Sequence, residues 1–108
     1  MALYMTQFSY TGEAWSTLAK QPADRREPLR TLFERVGGRL IELYYSFGGY
    51  AGVVLFEAPD NTAAVASLVA VLGPGHVKAI KTTKLLSVED TLTALGRTGD
   101  LSYAGPGR

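Results

Sequence analysis

Residues 40–59 read LIELYYSFGGYAGVVLFEAP, and this stretch has the pattern of a β-hairpin. Its first half alternates in the way typical of a strand, with Ile41, Leu43, Tyr45 and Phe47 on one face and Leu40, Glu42, Tyr44 and Ser46 on the other. Glycine takes positive φ at no steric cost, so Gly48-Gly49 predicts a tight reversal. Residues 51–57 are almost continuously apolar, which favours a central return strand.

The elements on either side of this hairpin predict an α+β fold. An aromatic-rich strand at residues 3–10 precedes it, and helical spacing marks residues 15–19 and 24–36, with Asp24 as the N-cap and a kink expected at Pro28. After it come a helix that begins beyond Asp60, a strand at 76–86 and a short helix that ends at Leu95. The order β-α-β-β-α-β plus a C-terminal helix is the ferredoxin-like arrangement, with a four-stranded antiparallel sheet. We assign residues 1–96 to this domain and residues 97–108 to a flexible C-terminal tail.

Both long helices of such a fold cover the same face of the sheet. We expect Tyr4, Phe8, Leu40 and Tyr44 on the opposite face, which would then be too apolar to remain in water. A second copy of the chain, packed sheet against sheet, is the simplest cover. The sequence therefore predicts a homodimer or a higher homo-oligomer.

Composition narrows the class of protein. The 108 residues suffice for one domain, 46% of them are hydrophobic, and the net charge of +1 gives no sign of a nucleic-acid partner. The chain has no cysteine, which excludes disulfides and thiolate metal sites, and its single histidine argues against a metal site of another kind. No signal peptide and no apolar run long enough to cross a bilayer is visible, so we expect a cytoplasmic protein without a membrane partner.

Four segments carry a family resemblance: LYMTQFSYTGEAW at 3–15, VGGRL at 36–40, YYSFGGYAGVVLFEAPD at 44–60 and LSVEDTL at 86–92. The chain resembles the GYD-domain family, which is named for a Gly-Tyr-Asp between the second and third strands. The resemblance implies a ferredoxin-like fold related to the dimeric α+β barrels, and it implies no established activity. Ala51 occupies the position of the family's aspartate.

The candidate site residues follow from the hairpin and from the few titratable groups. We predict that Tyr44, Tyr50, Gly49 and Tyr4 contact a small, partly apolar ligand between paired sheets, although Tyr50 can equally be an aromatic anchor of the turn. Glu42 and His76 are the candidate general bases: Glu42 if burial raises its pKa, and His76 because it is the only imidazole. Glu42 can instead pair with an arginine such as Arg39.

Two functions are consistent with this pattern. The first is a homo-oligomeric binding or interaction module that needs no cofactor. The alternative, implied by the dimeric α+β barrels, is an enzyme: a cofactor-independent monooxygenase or isomerase, or a haem-binding relative. The fold does not choose between them, because it supports many activities.

Overall fold

The computed structural model describes residues 1–107, and Arg108, the last residue of the predicted tail, lies outside them. The elements follow in the order β1 (Ala2–Tyr10), α1 (Gly12–Lys20), α2 (Arg26–Arg35), β2 (Arg39–Tyr45), β3 (Gly52–Ala58), α3 (Asn61–Leu72), β4 (Val77–Leu85) and α4 (Val88–Gly96), with a 3-10 turn at Arg97–Asp100. The strands form one antiparallel sheet in the order β2-β3-β1-β4. This confirms the α+β, ferredoxin-like fold.

The helix-covered face of the sheet is built from the even-numbered residues of the two central strands. Phe56 of β3 is completely buried, and its ring stacks on Tyr4 of β1 at 5.3 Å and on Phe33 of α2 at 4.3 Å between ring centroids. Gly52 lies directly beneath Phe8, where an added Cβ would come 2.5 Å from the ring. The hydrophobic core therefore lies between this face and the helices.

The sequence predicted that Tyr4, Phe8 and Leu40 lie on the uncovered face of the sheet. This prediction was wrong, because all three belong to the core or pack against it. For Tyr4 and Phe8 the reason is that alternation along β1 defines two faces but does not identify the face that the helices cover. For Leu40 the reason is a bulge in β2 between Leu40 and Glu42, which shifts the register against β3 and puts Leu40 on the same face as Leu43. Tyr44 does lie on the uncovered face, opposite Val53.

The N-terminal ends of two helices follow capping signals in the sequence, and the predicted N-cap of a third helix is not found. Asp60 and Ser87 are the N-caps of α3 and α4, since their side chains accept hydrogen bonds from the backbone N–H groups of Ala63 and Asp90. Asp24 is not an N-cap, because its carboxylate binds Arg26 instead. No kink forms at Pro28, which is the third residue of α2, in the first turn where a backbone donor is not needed.

Helix α3 is apolar on all sides. Ala64 and Ser67 are buried against the sheet, whereas Val65 and Val69 are 57% and 61% exposed. The spacing of Val65, Leu68, Val69 and Leu72 is that of a single helical stripe, but these residues do not face the core as a unit. In a helix that is hydrophobic all round, periodicity does not identify the buried side.

The C-terminal segment projects from the rest of the chain. Helix α4 packs on the 3-10 turn that follows it, and Leu92 and Leu95 are 63% and 60% exposed. The radius of gyration is 17.8 Å, compared with about 13 Å expected for a compact domain of this length. The boundary at residue 96 stays a prediction, and none of the helices within residues 1–107 has the length and apolar character to span a membrane.

Candidate functional site: a cleft between the sheet and the helices

A cleft of about 370 Å³ opens over the middle of the sheet, on the helix-covered face. Its floor is formed by β1, β3 and β4, one wall by α1 and α2, and the other wall by α3. The lining is predominantly apolar and consists of Thr6, Phe8, Tyr10, Ala14, Thr17, Leu18, Arg25, Pro28, Leu29, Leu32, Phe33, Val54, Phe56, Leu68, Ala70, Val71, Pro74, His76, Val77 and Ile80. A concave apolar site with a few polar groups is the usual form of a small-molecule pocket.

The hydroxyl group of Thr6 lies at the cleft floor, paired with a threonine of the neighbouring strand. Thr6 is 3% exposed, and its Oγ1 lies 2.9 Å from Oγ1 of Thr82 on the neighbouring strand. Each hydroxyl can be donor or acceptor, so the pair satisfies itself and retains the capacity to accept or donate one more bond.

Tyr10 lies at one end of the cleft as part of an aromatic cluster. Its ring lies 5.2 Å from Phe8 and 5.1 Å from Trp15, and its hydroxyl is 3.3 Å from that of Tyr45. Burial raises the pKa of Tyr10 well above its usual value of 10.0, and the hydrogen bond with Tyr45 acts in the same direction. The phenol is therefore a neutral hydrogen-bonding group at any physiological pH.

A second depression, of about 410 Å³, lies on the other side of this aromatic cluster. It is more open than the cleft and is lined by Trp15, Leu18, Pro22, Ala23, Tyr45, Ser46 and Phe47. Its lining carries no charged group among the described residues. We regard the cleft as the candidate site because it is the less open of the two and has polar residues in its lining.

The structure separates the two candidate bases. Glu42 lies on β2 and His76 immediately precedes β4, and these strands form opposite edges of the sheet, about 14 Å apart at the spacing of neighbouring strands. The Glu42 side chain is 37% exposed, accepts a hydrogen bond from the backbone N–H of Leu43 at 3.0 Å, and lies 3.9 Å from Arg26. Arg39 pairs with Glu57 instead. The buried carboxylate that a general base would require is therefore absent at residue 42.

His76 is exposed at the end of the cleft, where its carbonyl accepts a hydrogen bond from the N–H of Thr11 at 2.9 Å. It is the only predicted site residue that lines the cleft. Among residues 1–107 no group of three or more His, Asp or Glu side chains is arranged to hold a metal ion.

The predicted ligand-binding residues do not form one site. Tyr44 is 58% exposed on the uncovered sheet face, whereas Tyr4 is 4% exposed in the core, where its hydroxyl donates to Oδ1 of Asn61 at 2.6 Å. Gly49 and Tyr50 lie in the β2–β3 loop, in which Ser46 Oγ donates to the carbonyl of Tyr50 at 2.9 Å. The positive φ of this loop belongs to Gly48, at 137°, and Gly49 has no such φ.

Sequence reasoning missed the residues that give the cleft its polar character, above all Thr6, Tyr10 and Arg25. A threonine in a strand is an ordinary β-former, and an arginine before a helix is an ordinary surface residue, so neither carried a signal. The one available signal was the nearby aromatic pair of Tyr10 and Trp15. Tyr45 is distant in sequence and joins this pair only because β1 and β2 run parallel in the folded sheet.

Comparison with known proteins identifies the family. The family model of the GYD domain matches residues 4–95, which is most of the chain. The chain belongs to the GYD-domain family. No protein of curated function matches its sequence closely enough to be counted as a relative.

A solved structure supports the fold of this GYD protein. The crystal structure of MtbAldR aligns with a TM-score of 0.52 and 14% identity, covering 80% of this chain. The alignment covers 52% of MtbAldR, so the chain spans about half the length of that protein. TTHA0845 from Thermus thermophilus aligns with a TM-score of 0.44 and 18% identity, covering 82% of this chain and 96% of that one. The likeness to MtbAldR shows the fold alone.

The family's name-giving position has a backbone role in this GYD protein. The N–H of Ala51 donates to the carbonyl of Phe8 at 2.8 Å, and its carbonyl accepts from the N–H of Ser46, also at 2.8 Å. These bonds join the hairpin to the central strand, and they require no carboxylate side chain at residue 51.

Proposed function

We propose that this GYD protein is a homo-oligomeric module that binds a small, largely apolar molecule in the cleft between its sheet and helices. The observation that carries the proposal is the cleft itself: about 370 Å³ of space between sheet and helices, with an apolar lining and a few hydroxyl groups. Pockets for small ligands usually have volumes of roughly 300–1,000 Å³.

The contacts of the helices with the sheet support a binding site between them. Helix α3 contacts β3 and β4, and helix α2 contacts β2 and β3. The two walls thus stand on different parts of the sheet, and an apolar molecule between them would cover side chains such as Leu32 and Leu68, which are only partly buried. Removing apolar surface from water stabilises such a complex by about 25 cal/mol per Å² before the costs of association.

Binding of 1-decanol, an uncharged probe, tests the cleft directly. Trp15 is the single tryptophan and contacts Tyr10 at one end of the cleft, so its fluorescence should change in a saturable way as the alcohol binds. Ala70→Phe places a bulky ring at the lining, from an exposed helix position, and should weaken binding severalfold. Ala66→Phe is the matched control, because Ala66 is exposed on the same helix and does not line the cleft.

Circular dichroism and thermal melting establish that both variants are folded before they are compared. Equal affinities for 1-decanol in the two folded variants would refute the cleft as the site. Native mass spectrometry of protein purified without added ligand complements this test, since a released extra mass identifies the molecule that the protein carries from the cell.

The homo-oligomer is supported by the uncovered face of the sheet. Leu3, Met5, Val53 and Leu55 alternate with the core residues of β1 and β3, and Tyr44 extends the same face on β2. Within the described part of the chain, the helices that pack on the sheet lie on the other face. A second copy of the chain, sheet against sheet, would remove this apolar surface from water.

Light scattering with size-exclusion chromatography tests this arrangement. Leu55→Lys introduces a charge at the centre of the uncovered face and should dissociate the oligomer. Val65→Lys introduces the same charge on the exposed side of α3 and should leave the mass unchanged. If only Val65→Lys dissociates the oligomer, the interface lies on α3 and not on the sheet. A monomeric wild-type protein would refute the oligomer.

A further inference from the structure

We propose that the cleft selects a carboxylic acid with an apolar body, and that Arg25 and His76 hold its carboxylate at the open end. This inference rests on the proposed function of the same cleft and adds the chemical class of the ligand. Neither residue has a part in the fold core, and both are exposed at the edge of the lining.

The charges around the cleft are of one sign. Among the described residues that line it, Arg25 and His76 are the only ones that can carry a charge at neutral pH, and no aspartate or glutamate is present. The chain as a whole is nearly balanced, with eleven basic and ten acidic residues. The absence of acids from the lining is therefore a local property, and it favours an anionic group on the ligand.

Arg25 has no carboxylate partner within residues 1–107, whereas the neighbouring arginines do. The acid nearest to it in sequence, Asp24, is engaged by Arg26, which donates to it from the backbone N–H at 3.0 Å and from Nη2 at 2.8 Å. This contact lowers the pKa of Asp24 to about 2, which keeps the carboxylate charged and bound to Arg26. Arg30 is likewise paired with Glu27. The guanidinium of Arg25 is thus free for a ligand.

Arg25 and His76 lie at the same end of the cleft. Tyr10, the last residue of β1, is paired in register with Val77, the first residue of β4, so His76 stands beside this end of the sheet. Arg25 precedes α2, and its charge is close enough to Tyr10 to oppose the rise in the pKa of that phenol. The two donors therefore border the same end of the cleft, which is the end at which Tyr10 lies.

A carboxylate matches these donors better than other polar groups do. A guanidinium presents parallel N–H donors in a plane that fits both oxygens of a carboxylate, and an imidazole supplies one further N–H donor. Below this opening the floor is apolar apart from the Thr6–Thr82 pair. A molecule with one charged end and an apolar body satisfies both regions.

Decanoate and 1-decanol are matched probes for this proposal, because they share an apolar chain and differ in the charged group. Titrations monitored by Trp15 fluorescence and by calorimetry should show that decanoate binds about tenfold more tightly than 1-decanol. Arg25→Gln should remove most of that preference, measured as the ratio of the two affinities, and His76→Ala should remove a smaller part of it. Arg35→Gln is the control, since Arg35 is exposed at the far end of α2 and does not line the cleft.

The possible outcomes distinguish failure of the proposed ligand class from failure of the proposed function. Loss of the decanoate preference in Arg25→Gln, with the control unchanged, supports the proposal. Equal affinities for the two probes in the wild-type protein, or equal effects of Arg25→Gln and Arg35→Gln, would overturn the carboxylate class and leave the cleft as an apolar site. Binding of neither probe would refute the cleft itself.

Discussion

Replacing Tyr4 by phenylalanine removes one oxygen atom from the core and tests where that side chain lies. The hydroxyl of Tyr4 donates to Oδ1 of Asn61 at 2.6 Å, and its ring stacks on Phe56 at 5.3 Å. Tyr4→Phe keeps the ring and the stack, so the loss is one hydrogen bond. The acceptor is not left buried without a partner, because Asn61 is exposed and also receives a contact from Nζ of Lys84 at 3.4 Å.

The expected cost is therefore that of an ordinary hydrogen bond, about 1 kcal/mol, without the added penalty for a buried unsatisfied group. For a domain of this size, a change of 1 kcal/mol lowers the Tm by about 4–8 °C. Urea denaturation and thermal melting at a fixed protein concentration measure both quantities, and the fixed concentration is needed if the chain associates. Tyr44→Phe is the control: Tyr44 is 58% exposed and donates no hydrogen bond within the described residues, so its substitution should change stability by less than about 0.5 kcal/mol.

A double-mutant cycle with Asn61→Ala assigns the effect to this contact. If the hydrogen bond accounts for the loss, Tyr4→Phe should cost almost nothing in the Asn61→Ala background. An equal cost in both backgrounds would refute the assignment of the loss to the Tyr4–Asn61 bond. A larger loss for Tyr44→Phe than for Tyr4→Phe would reverse the assignment of the two sheet faces.

Further substitutions test local features of the hairpin loop, the sheet and the aromatic cluster. Gly48→Ala should cost on the order of 1 kcal/mol in urea denaturation because Gly48 has a φ of 137°, whereas Gly49→Ala should cost less than about 0.5 kcal/mol. Gly52→Ala should destabilise the protein by about 1–3 kcal/mol in the same assay, since the added methyl group would overlap the Phe8 ring. In an absorbance titration of phenolate, Tyr10→Phe should remove a late step, because burial raises the pKa of Tyr10.

The raised pKa of Tyr10 also fixes the sign of a pH effect on stability. The unfolded chain loses the Tyr10 proton near pH 10, before the folded chain does, so the folded state binds more protons above that pH. The contribution of the protonated Tyr10 to the free energy of unfolding is complete below pH 10. It is lost as the pH rises through the pKa that Tyr10 has in the folded state. Tyr10→Phe should therefore flatten the decline in stability above pH 10, which chemical denaturation at a series of pH values measures.

The element order could be predicted from sequence because each boundary has a local chemical signal. Asp60 and Ser87 are N-caps in the structure, and the hairpin occurs where Gly48 supplies positive φ. These signals act over a few residues, so they can be recognised without knowledge of the tertiary fold. The assignment of β1 side chains to a face could not be made in this way, because Tyr4 and its half-buried neighbours Leu3 and Met5 are all apolar or aromatic.

The candidate site was less predictable than the fold, because it exists only between elements. Arg25 became a candidate only when the structure showed that Asp24 is bound to Arg26. Glu42 lost its role as a base for the same kind of reason: it lies on the edge strand β2, with its side chain 37% exposed and 3.9 Å from Arg26, so it is not the buried carboxylate that a general base requires. A residue's chemistry follows from which partners the fold leaves for it, and Arg25, which has no carboxylate partner among residues 1–107, lines the cleft of this GYD protein.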